Sequence, residues 1–360
     1  MSRFANSKVG ILGIAGAVPN NIVKVDDYVG VFGSAVVEKF KKNTGINFVH
    51  RTSCSQTASD LGYVAANNVI NSTKVDRKKI GILIFVSQSP DYRKPATACV
   101  LQHRLNLEKD CASFDINLGC SGFVYGHQII SSLLSTSNAE YGLLIVGETS
   151  SKLVNEKDKS TAMMFGDAGA AILYAKCSHE KEETLLCTDG SRFKTIIVPS
   201  GGFRDMNPIE KRIMASDGML RSKFESYMDG VGVFSFSMND VSETVKNYLD
   251  YTRKNINDYD FIVFHQANKM IIKQFVRKFK IKEDKVLFSL DEYGNTSGVS
   301  VPLTLCKGLG SVSCGAFKVL AVGYGIGLSW GCTEFTVDAS NVFPIIETED
   351  CFLEGVLSSL

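Results

Sequence analysis

Three short segments pair a chemically capable side chain with an unusual setting. In "SFDINLGCSGFVYG", residues 113–126, Cys120 stands among small residues at the end of an apolar run. In "FIVFHQAN", residues 261–268, His265 directly follows a strongly apolar stretch. In "YGNTSG", residues 293–298, Asn295 opens a turn ahead of a second helical pattern. A cysteine that ends a strand and opens a helix meets free N–H groups and roughly half a positive charge at the helix N-terminus. Both favour the thiolate, which is the nucleophilic form. Gly119 and Gly122 would let the backbone turn and let a substrate come close. Each residue also has an inert reading: a buried structural thiol, a satisfied strand-end histidine, a turn asparagine.

The four other histidines compete poorly with His265. His127 lies seven residues past Cys120 on the same predicted helix, roughly 10 Å along the axis. His179 sits in a charged segment, and His50 and His103 have no glycine-rich setting. The stretch "GYGIGLSWG", residues 323–331, could offer backbone N–H groups to a developing oxyanion. Its GxGxG is not a dinucleotide site, because no helix opens there and no acidic residue follows at the required spacing.

The elements that position these residues follow from apolar periodicity. "IGILIFVS", "ASFDIN", "YGLLIVGE" and "AAILYA" read as buried strands in the first half, and "FIVFH", "KVLFSL" and "FKVLAVGYG" in the second. Helical patterns such as "GFVYGHQIISSLLST" and "VSETVKNYLDYTRKN" lie between them. Strands buried on both faces and alternating with helices predict an α/β fold. A duplication lies beneath the alternation. Cys120 and Asn295 occupy matching strand-to-helix turns 175 residues apart, Gly147 and Gly323 end matching strands 176 apart, and Ser87 and His265 follow matching strands 178 apart. Three elements in the same order at nearly one offset predict two copies of a single unit that meet in "KCSHEKEETLLC", residues 176–187. We divide the chain into a first half, 1–180, carrying the cysteine; a second half, 181–338, carrying His265 and Asn295; and an extension, 339–360. Ligand sites in such folds form at the carboxyl ends of strands, so one cleft could gather all three residues.

Bulk properties narrow the classes. The 360 residues are 44% hydrophobic and 21% charged, with a net charge of +1, which gives no global case for nucleic acid or an anionic membrane. Ten cysteines form no CxxC pair and no cluster with histidines; this reads as a reduced cytoplasmic chain with no metal site. "KVGILGIAGAVPNN" has some character of a signal peptide, but we read Val9–Ala15 as a first strand ended at Pro19-Asn20-Asn21. No run approaches the length of a membrane span.

Together these motifs resemble the β-ketoacyl-acyl carrier protein synthase III family of thiolase-fold condensing enzymes. "DINLGCSGFVYG" resembles the family's nucleophile motif, "FHQAN" its histidine motif, "GNTSGVSVP" its asparagine motif, and "FGDAGAA" and "GYGIGLSWG" two further signatures. The resemblance runs from residue 9 to about 337 in the family's order. It implies two duplicated α/β halves in a five-layer αβαβα sandwich. It further implies a decarboxylative Claisen condensation in fatty acid biosynthesis, in which Cys120 takes an acyl group from acyl-CoA or an acyl-carrier thioester. His265 and Asn295 would then bind the enolate formed from malonyl-acyl carrier protein. The N–H groups of Cys120 and Ile326 would make the oxyanion hole, with Gly325 and Asn268 also at the substrate. No metal or redox cofactor is implied; an acyl carrier protein partner and a homodimer are.

The chain departs from the family at several points. Lys39 and Asn43, in "KFKKNTGI", stand where the Trp and Arg that sandwich the adenine of coenzyme A are usual, whereas Lys152 falls where another nucleotide-binding Arg is found. Met270 replaces an Arg after the histidine motif. The segment "NKMIIKQFVRKFKIK" is basic through Lys269, Lys273, Arg277, Lys278 and Lys280. It reads either as a solvated helix face or, with the resemblance, as a dock for an acidic carrier protein. The departures leave open a synthase III-like enzyme of a specialised pathway with a non-acetyl donor. A degradative thiolase would need a second cysteine with a glycine two residues on, and Cys332 is followed by Thr-Glu. A non-catalytic scaffold would have no need of the thiol.

Overall fold

The computed structural model describes residues 2–178, 181–206, 212–214 and 218–353. His179 and residues 354–360 of the extension lie outside the described residues. The principal strands are β1 (Ser2–Asn6), β2 (Val9–Pro19), β3 (Ile80–Val86), β4 (Ala112–Ile116), β5 (Tyr141–Glu148), β6 (Ala168–Lys176), β7 (Glu182–Thr188), β8 (Phe261–Phe264), β9 (Ala316–Gly325), β10 (Ser329–Asp338) and β11 (Ile346–Thr348). The principal helices are α1 (Ser34–Thr44), α2 (Ala58–Thr73), α3 (Thr97–Arg104), α4 (Gly122–Thr136), α5 (Ser242–Thr252), α6 (Lys269–Phe279) and α7 (Ser300–Leu309).

Two mixed sheets organise the core. The first runs β11-β2-β6-β5-β3-β4 and the second β1-β7-β10-β9-β8. β5 pairs parallel with β3 and antiparallel with β6, and β9 pairs parallel with β8 and antiparallel with β10. The duplication read from spacing is thus repeated in strand order and direction. The alternation of side chains explains the layers. Leu144 and Val146 of β5 enter a central core shared with Val319 and Ala321 of β9. Leu143 and Ile145 face outward into a second core under α2, and Leu320 and Val322 enter a third with Phe264 and Phe275. Such strands are buried on both faces, so they read as unbroken apolar runs. α4 packs against strands of both sheets, as does α7, whereas α2 and α3 cover the first sheet and α5 the second. These are the five expected layers of the thiolase fold.

Three features depart from a plain reading of two halves. β1 pairs antiparallel with β7 in the second sheet. In the extension, β11 pairs parallel with β2 and lies at the edge of the first sheet, while the Phe352 ring packs edge-on against Tyr63 at 4.6 Å. Finally, "KVLFSL" forms no strand; Val286 makes one isolated parallel bridge to Ile262. Beyond the Leu287 N–H, which donates to the Ile262 carbonyl at 3.2 Å, the Ser289 N–H donates to the Gln266 side chain at 3.1 Å.

Candidate active site

Cys120 follows β4 and precedes α4, whose N-cap is Ser121. Its flanking glycines are required by space. A Cβ on Gly119 would lie 2.5 Å from Gln88 Oε1 and 2.7 Å from the Ile326 side chain, and one on Gly122 would lie 2.6 Å from Val86. The duplicate turn carries Asn295 after Gly294, whose φ of +63° suits glycine alone. The backbone of Asn295 is clamped by the loop of Met164 and Gly166: its N–H donates to the Met164 carbonyl at 2.9 Å, and its carbonyl accepts from the Gly166 N–H at 3.2 Å. The two turns touch, since Ser297 Oγ lies 3.7 Å from Cys120 Sγ.

His265 is the first residue past β8, and its N–H donates to the Val322 carbonyl at 2.8 Å. Cys120, His265, Asn295, Asn268, Gly325 and Ile326 all line one cavity of about 580 Å³. Ligation of the side chains decides which atoms are left to act. Asn295 Oδ1 accepts from the Ser297 N–H at 2.9 Å, so its amide NH₂ is the end available to a ligand. His265 Nδ1 lies 2.8 Å from Ser300 Oγ. That oxygen also accepts from the Gln266 N–H at 3.4 Å; with the serine proton given to Nδ1, the ring proton sits on Nε2. Burial pulls the His265 pKa down to about 3, with the backbone of Ser297 offsetting part of the effect. The imidazole is therefore neutral at physiological pH and acts as a donor.

The ionisation expected for Cys120 is corrected. Burial pushes the thiol up from its usual value, while Ser297 Oγ and the N–H groups of Ile326 and Cys120 itself pull in the other direction and do not prevail. Desolvation outweighs the helix terminus here, and the resting residue is a thiol. Those two N–H groups nevertheless converge on the sulfur, where an acyl oxygen would later develop charge. Gly325 makes the approach possible: a Cβ there would stand 2.5 Å from Cys120 Cβ and 2.8 Å from Sγ. The Ile326 carbonyl accepts from Ser329 Oγ at 2.9 Å, and Ser329 Oγ meets Ser121 Oγ at 2.7 Å. This pins the glycine-rich loop to the start of α4.

The remaining candidates sort differently. Asn268 caps α6, its Oδ1 accepting from the Ile271 N–H at 2.8 Å, and it lines the cavity from that position. Lys152 is not a cavity residue; its ammonium donates to the Gln56 and Cys54 carbonyls at 2.6 and 3.1 Å. On α6, Lys273 and Arg277 are exposed, Lys278 donates to the Met238 carbonyl at 2.9 Å, and Lys269 is half-buried over the Phe288 ring at 5.8 Å. Lys39 and Asn43 are exposed on α1. His127 is structural, its Nδ1 2.9 Å from the Tyr174 hydroxyl.

Sequence reasoning missed several residues at the site. Ser297 is held at a φ of +51°, rare for a side-chain-bearing residue. Glu148 ends β5 facing the cavity, and burial raises its pKa to about 8. A carboxylate closing the apolar run "YGLLIVGE" was the available signal. Ser300, the seventh of the nine residues of "GNTSGVSVP", carried none. In "FGDAGAA", Asp167 proves structural, since it accepts from the N–H and hydroxyl groups of both Thr52 and Ser151.

The chain is similar to known proteins over most of its length. Residues 114–190 match the family model of 3-oxoacyl-[acyl-carrier-protein (ACP)] synthase III, and residues 249–337 match the model of that enzyme's C-terminal part. A β-ketoacyl-[acyl-carrier-protein] synthase III of Clostridium acetobutylicum is 32% identical over 328 residues, covering 90% of this chain and 97% of the relative. The enzyme of the same name from Clostridioides difficile is 32% identical, covering 91% and 98%. The crystal structure of a 3-oxoacyl-(acyl-carrier protein) synthase from Burkholderia xenovorans superposes with a TM-score of 0.89 at 32% identity, covering 96% of this chain and 99% of that one.

Proposed function

The chain belongs to the 3-oxoacyl-[acyl-carrier-protein] synthase III family of acyl-transferring condensing enzymes, and from that premise we propose how its residues divide the reaction. The Cys120 thiol attacks the carbonyl of an acyl thioester. The sulfur–carbon bond to the donor breaks, and the released thiol carries the proton away. The N–H groups of Cys120 and Ile326 hold the oxyanion during this step. Malonyl-acyl carrier protein then binds with its thioester carbonyl between His265 Nε2–H and the Asn295 amide. Carbon dioxide leaves, its bonding pair moves into the enolate held by those two donors, and the enolate carbon attacks the acyl-Cys120 carbonyl. Collapse releases the β-ketoacyl product and returns the sulfur, which is reprotonated. The chemistry as written uses no metal and no redox group.

The observation that carries this reading is the ligation of the two donors. With Ser300 at His265 Nδ1 and the Ser297 N–H at Asn295 Oδ1, His265 Nε2 and the Asn295 NH₂ group are left for the same cavity. The exposed cations Lys273 and Arg277 on α6, next to Asn268 and Ile271 at the cavity wall, suit an acidic carrier protein. The donor is an acyl-CoA or an acyl-carrier thioester, and the pathway is fatty acid synthesis. β4 ends the first sheet, and its unpaired edge suits a homodimer in which a second copy continues the sheet. Among the described residues no helix is long and apolar enough to cross a membrane; the reduced cysteines support a cytoplasmic site.

Intact mass after incubation with acyl thioesters tests the assignment. One acyl adduct is expected, lost in Cys120→Ala. His265→Ala should still be acylated but should release no carbon dioxide from malonyl-carrier protein. An adduct that persists without Cys120, or normal decarboxylation without His265, refutes the respective role.

A further inference from the structure

The two N–H groups assigned to the oxyanion hole come from opposite halves of the chain. One belongs to Cys120 at the start of α4, the other to Ile326 in the loop between β9 and β10. An oxyanion is stabilised only by donors already in place, and a misplacement of about 1 Å can cost a hundredfold in rate. Ile326 is bracketed by Gly325 and Gly327, which leave its backbone little restraint of its own. Two backbone bonds of 2.8 and 3.2 Å tie the next residue but one, Leu328, to Asp189, but they hold the loop to its own half. A restraint between the loop and α4 is still required.

Two buried hydroxyls supply it. Ser121, the residue after the nucleophile, is 0% exposed, and Ser329, at the start of β10, is 2% exposed. Neither lines the cavity. Ser329 Oγ donates to the Ile326 carbonyl at 2.9 Å, so its single proton is spent. The 2.7 Å contact between the two hydroxyls then runs one way: Ser121 donates and Ser329 accepts. Ser121 is also the N-cap of α4, where a serine ordinarily turns its oxygen to the helix N–H groups, yet its side chain makes no capping bond. It faces the loop instead. A Cβ on Gly323 would stand 3.2 Å from Ser121 Cα, so the strand that leads into the loop lies directly against the helix start.

We propose that Ser121 and Ser329 are positioning residues: their hydroxyl chain, running from the residue beside the nucleophile to the Ile326 carbonyl, sets the spacing of the two oxyanion donors across the halves. The proposal rests on the acyl-Cys120 reading above and adds to it two residues outside the cavity wall. It separates the two chemical stages. The oxyanion hole serves acyl transfer, whereas the enolate is held by His265 and Asn295. Loss of the hydroxyl chain therefore slows acylation and spares decarboxylation.

The test uses Ser121→Ala, Ser329→Ala, the double variant, and Ser329→Thr, which keeps a hydroxyl. Acylation of Cys120 by the butyryl thioester of N-acetylcysteamine is followed by intact mass over a range of concentrations. Carbon dioxide release is followed in a single turnover of labelled malonyl-carrier protein on enzyme acylated beforehand. Ser329→Ala should lower the maximal acylation rate about tenfold, less than the 10²–10³ of deleting a donor. Its half-saturating thioester concentration and its carbon dioxide burst should stay within about twofold of the wild type. Ser121→Ala should lose about threefold, because Ser329 still holds Ile326. The double variant should be no slower than Ser329→Ala, as expected of groups that act as one unit, and Ser329→Thr should recover most of the rate. Equal losses in both stages, an unchanged acylation rate in Ser329→Ala, or additive losses in the double variant overturn the proposal while leaving the acyl-enzyme intact. If the wild type takes no acyl group at Cys120, the acyl-enzyme reading itself fails.

Discussion

Ser300→Ala isolates the device that sets the His265 tautomer. The serine is not itself a cavity-lining residue, yet its hydroxyl lies 2.8 Å from His265 Nδ1. Removing it leaves a buried, neutral ring with no side-chain partner at Nδ1. One neutral hydrogen bond is worth about 0.5–1.5 kcal/mol net, and that is the bias toward Nε2–H that disappears. At about 1.4 kcal/mol per factor of ten, decarboxylation should slow about twofold to tenfold. Deleting the donor altogether in His265→Ala should cost about 10²–10³, as loss of an oxyanion donor does. The assay is release of labelled carbon dioxide from malonyl-carrier protein, run beside the rate of Cys120 acylation. Acylation should change little, because His265 enters only after it. Ser300→Thr restores a hydroxyl and should recover most of the rate. Decarboxylation at the wild-type rate in Ser300→Ala refutes the tautomer argument, as does an equal loss in both steps.

Four further outcomes follow from the site. Because burial holds Cys120 as a thiol, its alkylation by iodoacetamide should accelerate about tenfold per pH unit between pH 7 and 8.5; a plateau below pH 8 contradicts this. His265 titrates near 3 when folded against about 6.5 unfolded, so between those values the unfolded chain binds the extra proton. Its contribution is lost as pH falls below about 6.5, and urea titrations of His265→Asn should show a flatter acid limb than the wild type; parallel limbs would count against it. Gly325→Ala forces a Cβ to 2.5 Å from Cys120 Cβ and should slow acylation by at least about a hundredfold, or roughly 2.7 kcal/mol; a loss below tenfold would mean the loop yields. Lys273→Glu with Arg277→Glu should raise the KM for malonyl-carrier protein about tenfold at low salt and less at high salt, and an unchanged KM removes α6 from docking.

Much of the fold was legible because its information is local. Runs such as "IGILIFVS" and "YGLLIVGE" are apolar on both faces, which only a covered strand requires. The near-constant offset between Cys120 and Asn295, and between Gly147 and Gly323, exposed the duplication before any contact was known. What stayed hidden depends on partners distant in the chain. "KVLFSL" has the composition of a strand, but it makes only one isolated bridge, Val286 to Ile262, and its Ser289 N–H goes to the Gln266 side chain. "ETED" after residue 346 reads as polar surface, yet β11 finds the open edge of β2.

The site divides along the same line. Residue types, glycine spacing and repetition of one turn determined that a thiol, an imidazole and an amide would meet at strand ends. Their protonation and orientation belong to the tertiary structure alone. A pKa follows from how much water is removed and which dipoles replace it, and neither is written in the neighbouring residues. Hence the helix start suggested a thiolate at Cys120, while burial keeps the proton on against the pull of Ser297 and the Ile326 N–H. Likewise the Ser300 hydroxyl reaches His265 Nδ1 from 35 residues away, and Glu148 reaches the cavity from the end of β5.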